Sequence, residues 1–409
     1  MRVREEIGGF AARLSAGMKR PQRKFLLQML YGIQASKDVK LSNIGRSLKE
    51  GIALIKTEGR LSRQVKGRDL AEGLRGRMLE WAGCKVKKET VLAVDLSDVR
   101  KEYGEKMEKV AWVHDGSRGG EIVRGYWLLG IFAAEVAGEG VLPLWSELYS
   151  TEAEGFAGEN RQLLGAIHDV AGAVGKKGIW AIDRGGDRKT VLNGFLSGDL
   201  RFVARLVGKR HLVSGDGMVL SAEELARGME CKQRVKLVVQ QEGVKERREA
   251  WLGMRRVRLP WREEVLRLVV VKGFGEKPMM LLTNALKAPE EILEIYLTRW
   301  KCEESYRFIK QSYHLEDVRV RSYVGLRNMV ALVQAVFYFL AVELGERLGV
   351  SVLVRKICER ARRFFAVAEF KYYALADGIY WTLVGARAGP ELPADKKLNV
   401  AQLLLPFLD

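Results

Sequence analysis

Cysteine and histidine are both scarce in this chain. Cys84, Cys231, Cys302 and Cys358 are its only cysteines and show no Cys-x-x-Cys spacing. That excludes a disulfide framework and a cysteine-rich zinc site, and it fits a reducing compartment. Four well-separated histidines among 409 residues leave little room for histidine-based metal or triad chemistry. His114-Asp115 and His168-Asp169 read as structural pairs. Long hydrophobic runs are also lacking. The most apolar stretch, residues 329–342, has Gln334 inside it and Arg327 and Glu343 at its flanks. A bilayer span needs about 20 residues, so this segment reads as a core helix and no membrane partner is expected. The opening Met1-Arg2-Val3-Arg4-Glu5-Glu6 has no apolar region of the secretory kind. Internal repeats and low-complexity linkers are absent.

What is abundant is positive charge. Hydrophobic residues make up 47% and charged residues 29%, a globular balance, yet 69 Lys and Arg face 51 Asp and Glu, a formal charge of +18. Such an excess predicts a polyanionic partner, nucleic acid first and an anionic membrane surface second. Residues 1–90 carry 21 of the basic and only 9 of the acidic side chains, so +12 of the +18 sits there. Phe25, Leu26, Met29, Leu30 and Ile33 recur at helical spacing, and residues 41–48 and 70–81 read as further short helices. Basic helices separated by polar turns suit a helix-turn-helix-like module on DNA; a helical subdomain with a merely solvated basic surface has the same pattern.

After Lys88 the texture changes to strands at 91–94, 110–113 and 123–132, with a Gly116-Ser117-Arg118-Gly119-Gly120 turn. A helix near 160–174, a strand at 179–182, a short helix and a strand at 202–207 follow. The fold class is α/β with a mixed sheet. From 209 to 285 the pattern is nearly all β, with strands at 234–239, 255–259, 265–271 and 279–282, the last two joined by Gly273-Phe274-Gly275. Pro289 then opens a helix that runs to about Tyr313, and the remainder is mostly helical.

Two aspartates stand at buried strands: Asp95 after Val91-Leu92-Ala93-Val94, and Asp183 after Ile179-Trp180-Ala181-Ile182. A buried charge is costly without a compensating cation, although aspartate also caps turns. Further on, Tyr296, Arg299, Glu303 and Lys310 fall within roughly 60° of one face at 100° per residue. Charge pairing at i, i+4 explains Arg299 with Glu303 but neither the tyrosine nor the lysine in line. Glu304 leaves that stripe. A glutamate joining two strand aspartates would complete an oxygen-rich site for Mg²⁺ or Mn²⁺, of the two-ion kind that serves phosphodiester cleavage and transfer. Cations on the same face would hold the neighbouring phosphates. Nothing points to a nucleophilic Ser or Cys.

These residues give the chain a family resemblance. The Tyr296, Arg299, Glu303, Lys310 spacing is similar to the Tyr-Arg-Glu-Lys signature of cut-and-paste insertion-sequence transposases with an Asp-Asp-Glu triad. Asp95-Leu96-Ser97-Asp98 resembles their first motif and Asp183-Arg184-Gly185 their second, over roughly residues 40–345. The resemblance implies a ribonuclease H-like mixed-sheet core with a β-rich insertion, flanked by helical N- and C-terminal regions. The implied division is a DNA-binding domain at 1–88, a catalytic core at 89–208 and 286–322, an insertion at 209–285, and a C-terminal helical region at 323–409 that could dimerise. Asp95, Asp183 and Glu303 would be catalytic and ligate Mg²⁺ or Mn²⁺, two ions on the family's pattern. Tyr296, Arg299 and Lys310 would contact DNA phosphates. Trp300 would stack on distorted terminal DNA, or pack in the core. The partners implied are double-stranded DNA, as terminal inverted repeats and as target, and a second copy of the chain on paired ends. The setting implied is the bacterial cytoplasm, on the nucleoid. Two departures stand out: Gly186 replaces an aromatic in the second motif, and Met279 stands where hairpin-forming relatives carry a base-accepting tryptophan. A catalytically silent DNA-binding protein, or a ribonuclease H-like nuclease without strand transfer, would be the other readings.

Overall fold

The computed structural model describes residues 2–115, 120–138, 140–241, 244–344, 370–386 and 388–391. Five helices open the chain: α1 (Arg2–Leu14), α2 (Arg20–Ser36), α3 (Leu41–Ser47), α4 (Leu54–Gly67) and α5 (Ala71–Gly83). Pro21 sits in the first turn of α2, where its missing N–H costs nothing, and α2 is buried from Phe25 to Ala35 as the centre of this bundle.

The strands β1 (Val91–Arg100), β2 (Ala111–Asp115), β3 (Glu121–Ala134), β4 (Val141–Tyr149), β5 (Ile179–Ile182) and β6 (Phe202–Arg205) form the first half of one large sheet, with α6 (Glu159–Val174) and α7 (Lys189–Ser197) between them. β1 pairs antiparallel with β3 and parallel with β5, and β5 pairs parallel with β6. Beyond β3 lie β4 and β2, both antiparallel to it. This mixed order is that of a ribonuclease H-like core. β4 was not expected from the sequence, because Pro143 argues against a strand. The ladder is irregular there: Phe132 opposes Pro143 directly after Ile131 opposes Trp145, so the proline sits at a bulge, where a lost N–H is tolerated.

The second half comprises β7 (His211–Ser214), β8 (Val219–Ser221), β9 (Gln233–Gln241), β10 (Val244–Arg258), β11 (Leu266–Lys272) and β12 (Met279–Thr283). β12 pairs with β6, so the β-rich segment continues the core sheet edge to edge. The segment is less purely β than its sequence suggests, since α8 (Ala222–Gly228) interrupts it. Ser221 and Glu224 start that helix by a reciprocal capping box, a Ser-x-x-Glu signal that the strand-rich surroundings masked.

The sheet separates two apolar layers, and side-chain alternation decides which residue enters which. Leu92, Trp180, Ile182, Phe202, Leu268 and Leu282 belong to the larger core, with α6 and α7. Val91, Ile179, Ala181, Val203, Val269 and Leu281 face the smaller one, covered by α9 (Pro289–Thr298) through Ile292, Ile295 and Tyr296. After α9 come α10 (Trp300–Ser312), α11 (Tyr323–Tyr338) with a π-helical turn to Glu343, and α12 (Tyr372–Val384). The expected single helix from Pro289 to Tyr313 is therefore two helices meeting at Arg299. Thr298 Oγ donates to the Glu294 carbonyl at 2.8 Å, a back-bond that bends helices. Arg299 N and Cys302 N then bond three residues back, at 3.1 and 2.9 Å.

The continuous stretch Tyr323–Glu343 is longer than its apolar run implied. It would reach across a membrane by length and composition alone, but 83% of its apolar window is buried inside the protein. α11 packs against α2, α4, α5 and β4.

Candidate active site

Alternation carries the two aspartates to the same place. Val91 and, on β5, Ile179 and Ala181 face the layer beneath α9. Two-residue periodicity puts Asp95 and Asp183 on that same face. Val94 lies beside Ile182 in the parallel register, so the next residue of each chain segment emerges at the same end of neighbouring strands, about 4.8 Å apart. Strand β1 does not stop there but runs on to Arg100. Asp183 ends its strand and accepts the Gly185 N–H at 2.9 Å, capping a short 3-10 turn.

The junction of α9 and α10 closes over this pair. Arg299 reaches down with Nη1 3.6 Å from Asp95 Oδ1, while Nη2 donates to Glu303. Its guanidinium lies 5.7 Å from the centre of the Tyr296 ring, and its buried Nε has no hydrogen-bond partner among the described residues. Burial, with the nearby Asp183 and Glu303 carboxylates, pushes Asp95 up to about 7 against the opposing pull of Arg299. Burial pulls against the charge on Arg299, but Asp95 and then Glu303 hold it firmly protonated. Cys302 is fully buried beside them, and burial keeps its thiol protonated.

Asp95, Asp183, Tyr296, Arg299 and Glu303 are thus brought together. Tyr296 is 5% exposed and serves as a floor beneath Arg299. Glu303 is half exposed. Lys310 is engaged elsewhere, 3.4 Å from the buried Asp98 and 3.1 Å from Glu316. Asp98 itself lies within β1. Trp300 opens α10 and is partly exposed. Glu304 points away from the cluster, buried, accepting from Tyr373 Oη at 3.0 Å and from Arg307 at 2.6 Å. Asp187 is also structural in its contacts, accepting from Val207 N and Arg210 Nε. Met279 is buried in β12.

Two residues that sequence reasoning passed over fix this arrangement. Tyr306 lies one turn after Glu303 on α10, and its hydroxyl stands 3.0 Å from the Asp95 carbonyl and 3.1 Å from that of Leu128. It can be there only because Asp95 is paired across the sheet with Gly130. A Cβ on Gly130 would fall 2.3 Å from that hydroxyl oxygen. The helix that carries Glu303 is thereby tied to the strand that carries Asp95. The i, i+3 spacing from Glu303 was the available signal; the slot at Gly130 depends on strand register and had none.

The largely buried Asp95, with Asp183 and Glu303 near it, forms an all-oxygen donor set of three carboxylates, which fits a hard divalent cation. Among the described residues no group of three His, Cys, Asp or Glu side chains is drawn tightly enough to enclose an ion, and the Arg299 guanidinium is the cation that links Asp95 to Glu303.

Comparison with known proteins places this geometry. No curated protein matches the chain. Among solved structures, a cryo-EM structure of the piggyBac transposase synaptic complex with hairpin DNA aligns over 95% of this chain and 80% of its own, at 10% identity and a TM-score of 0.43, a likeness too remote to carry an argument. The Transposase DDE domain family matches residues 86–340, which takes in both aspartates, the insertion and the whole α9–α10 junction. On that match the chain belongs to the DDE transposase family.

Proposed function

We propose that this transposase is of the insertion-sequence type: it binds the ends of its element, hydrolyses the phosphodiester there, and joins the freed 3′-hydroxyls to target DNA. Asp95, Asp183 and Glu303 are its catalytic carboxylates. The observation that supports this most is the shared parity and register of Asp95 and Asp183, which put them side by side beneath the helix junction that bears Glu303.

In this reading the three carboxylates hold Mg²⁺ or Mn²⁺, two ions on the family's pattern; when bound, these activate a water or 3′-hydroxyl and stabilise the leaving oxygen. Asp95 gives up the proton that burial lets it keep. Arg299 moves from Glu303 towards the scissile phosphate, for which its fork of donors is suited, and keeps Tyr296 at its back. Lys310 exchanges Asp98 and Glu316 for a neighbouring phosphate, and Trp300 meets the terminal bases from the exposed start of α10. Tyr306 keeps the two halves of the site in register. In this reading the chain is divided into DNA-binding helices at 1–88, a catalytic core at 89–208 and 286–322, the insertion at 209–285, and a C-terminal region at 323–409 that pairs two copies. Of that last region, residues 345–369, 387 and 392–409 lie outside the described ones.

The test uses full-length protein, duplexes from the DNA flanking the coding region, and Mg²⁺. Cleavage followed by joining is expected. Asp183→Asn should abolish both and leave binding intact, whereas cleavage that persists in this variant would move the site elsewhere. Binding without cleavage would favour a silent DNA-binding protein, and cleavage without joining a plain nuclease.

A further inference from the structure

The basic side chains of the N-terminal helices are not equally available to a partner. Arg13 pairs with Glu343, Lys37 with Asp377, Lys40 with Asp317 and Arg60 with Glu50. Arg75 pairs with Glu147 and covers the Trp145 ring, and Arg77 donates to the Leu14 carbonyl. Lys49 donates to the Val384 and Ala386 carbonyls. Most of these cations tie the N-terminal helices to later parts of the chain. α4 is different. Thr57, Leu61 and Val65 make its buried side, packed on α3 and α11. Ile55, Gly59, Arg63 and Lys66 lie along its opposite side, within about 80° of one another at 100° per residue, with Lys56 next to them; all are exposed, Ile55 by 73%. Among the described residues Lys56, Lys66 and Arg68 have no carboxylate partner, and Arg63 bonds only to its own helix, at the Gly59 carbonyl. Other exposed basic residues are Arg46 on α3, Lys87 and Lys88 after α5, and a group of three, Lys19, Arg20 and Lys24, at the very start of α2, which is buried from Phe25 onward. Of α2, only that tip can touch a phosphate.

Gly59 adds an independent sign. Glycine weakens a helix interior relative to alanine, and nothing lies within 4 Å of where its Cβ would be, so no packing within the protein calls for it. A bare helix backbone is useful where another surface must come close. The exposed side of α5 has similarly open glycines but carries two exposed carboxylates, Glu72 and Glu80, which would repel a polyanion, whereas α4 has one half-buried carboxylate, Glu58, at the edge of its basic side.

We infer that α4 is the helix that reads sequence in the major groove of duplex DNA, through Arg63 on base edges, Ile55 against apolar base surface, and Gly59 where the groove wall approaches the backbone. An α-helix with its side chains is about 10–12 Å across and the major groove about 12 Å wide. Lys56, Lys66 and Arg68 lie at the margins of this face and take the flanking phosphates, with the start of α2 as a further phosphate clamp. The inference rests on the DNA-binding reading above and adds to it which helix does the reading.

The experiment begins by selecting bound duplexes from a random pool with the full-length protein, then measures affinity for the selected duplex and for a scrambled one. Arg63→Ala should weaken binding to the selected duplex about ten- to a hundredfold and leave the scrambled one nearly unchanged. Lys66→Ala should weaken both alike and lower the salt slope by about 1. Gly59→Ala should raise the melting temperature and yet weaken selected-duplex binding at least tenfold, so that misfolding cannot explain the loss. If wild type prefers its selected duplex and both Arg63→Ala and Gly59→Ala retain that preference, α4 is not the reader and DNA binding itself stands. A melting temperature lowered by Gly59→Ala would show a packing role and overturn the argument from Gly59. Failure of the wild type to bind any duplex would remove the DNA-binding reading as a whole.

Discussion

Asp95 combines three features that rarely coexist: it is largely buried, it faces two other carboxylates, and a guanidinium stands against it. Its folded-state value of about 7 lies above the roughly 3.9 of an unfolded chain. The folded protein therefore keeps a proton that the unfolded chain releases between those limits. Stability from protonated Asp95 is complete below about pH 4 and is lost as pH rises through 7. Asp95→Asn removes that loss, so the melting temperature of the variant relative to wild type should climb from pH 4.5 to pH 8. A difference that stays flat over this range would contradict the burial argument. Tyr306 makes a separate prediction. Tyr306→Phe leaves the ring packed on Phe132 and removes only the hydroxyl, at a cost of about 1–2 kcal/mol. Cleavage kcat should fall while affinity for end DNA stays constant, since the hydroxyl ties Glu303's helix to Asp95's strand without reaching the surface. Gly130→Ala should do the same more severely.

At the scale of elements, the strands that matter were legible because each holds an unbroken apolar run, Val91–Val94 and Ile179–Ile182. Those runs placed Asp95 and Asp183 at buried strands, but that the two emerge side by side depends on the parallel pairing of β1 with β5, which the sequence did not carry. β4 was not legible, because Pro143 sits at a bulge that only the pairing with β3 makes harmless. α8 was hidden by the strands around it despite its capping box. The break at Arg299 arises from the Thr298 back-bond, too local an effect for a helical wheel to register. The stripe from Tyr296 to Glu303 survives the break because Arg299 touches both neighbours, but Lys310, about two turns further along α10, leaves it for Asp98. α10 is held from behind by α12: Phe308 is fully buried and meets Tyr373 edge-on with ring centres 5.2 Å apart, alongside Phe337 and Phe370. Phe308→Ala should cost about 3–5 kcal/mol in denaturant unfolding. It should also speed amide exchange in α10 and α12 together, whereas faster exchange in α12 alone would mean that α10 does not depend on this cluster.

Across the whole molecule, the sheet is one continuous surface from β2 to β8, so the carboxylate cluster sits on a plate that the β-rich segment extends. Charge is distributed otherwise, with most of the +18 in the first 90 residues and the carboxylate cluster some distance along the chain. Composition announced the polyanionic partner; it could not say that several of those cations pair with carboxylates elsewhere in the chain, as Arg75 does with Glu147 and Lys37 with Asp377. Binding to duplex DNA should fall about 0.9 log units per log unit of salt for each phosphate neutralised. A slope near zero would show that the surplus charge does not meet DNA. The central claim is that Asp95, Asp183 and Glu303 share divalent ions. Anomalous diffraction from Mn²⁺ in crystals of the protein with end DNA tests it directly. The account predicts density in contact with Asp95 and Asp183 oxygens and with Glu303, and with Arg299 withdrawn from Glu303. Mn²⁺ bound away from Asp95 and Asp183, with Arg299 still joined to Glu303 while DNA is cleaved, would contradict it.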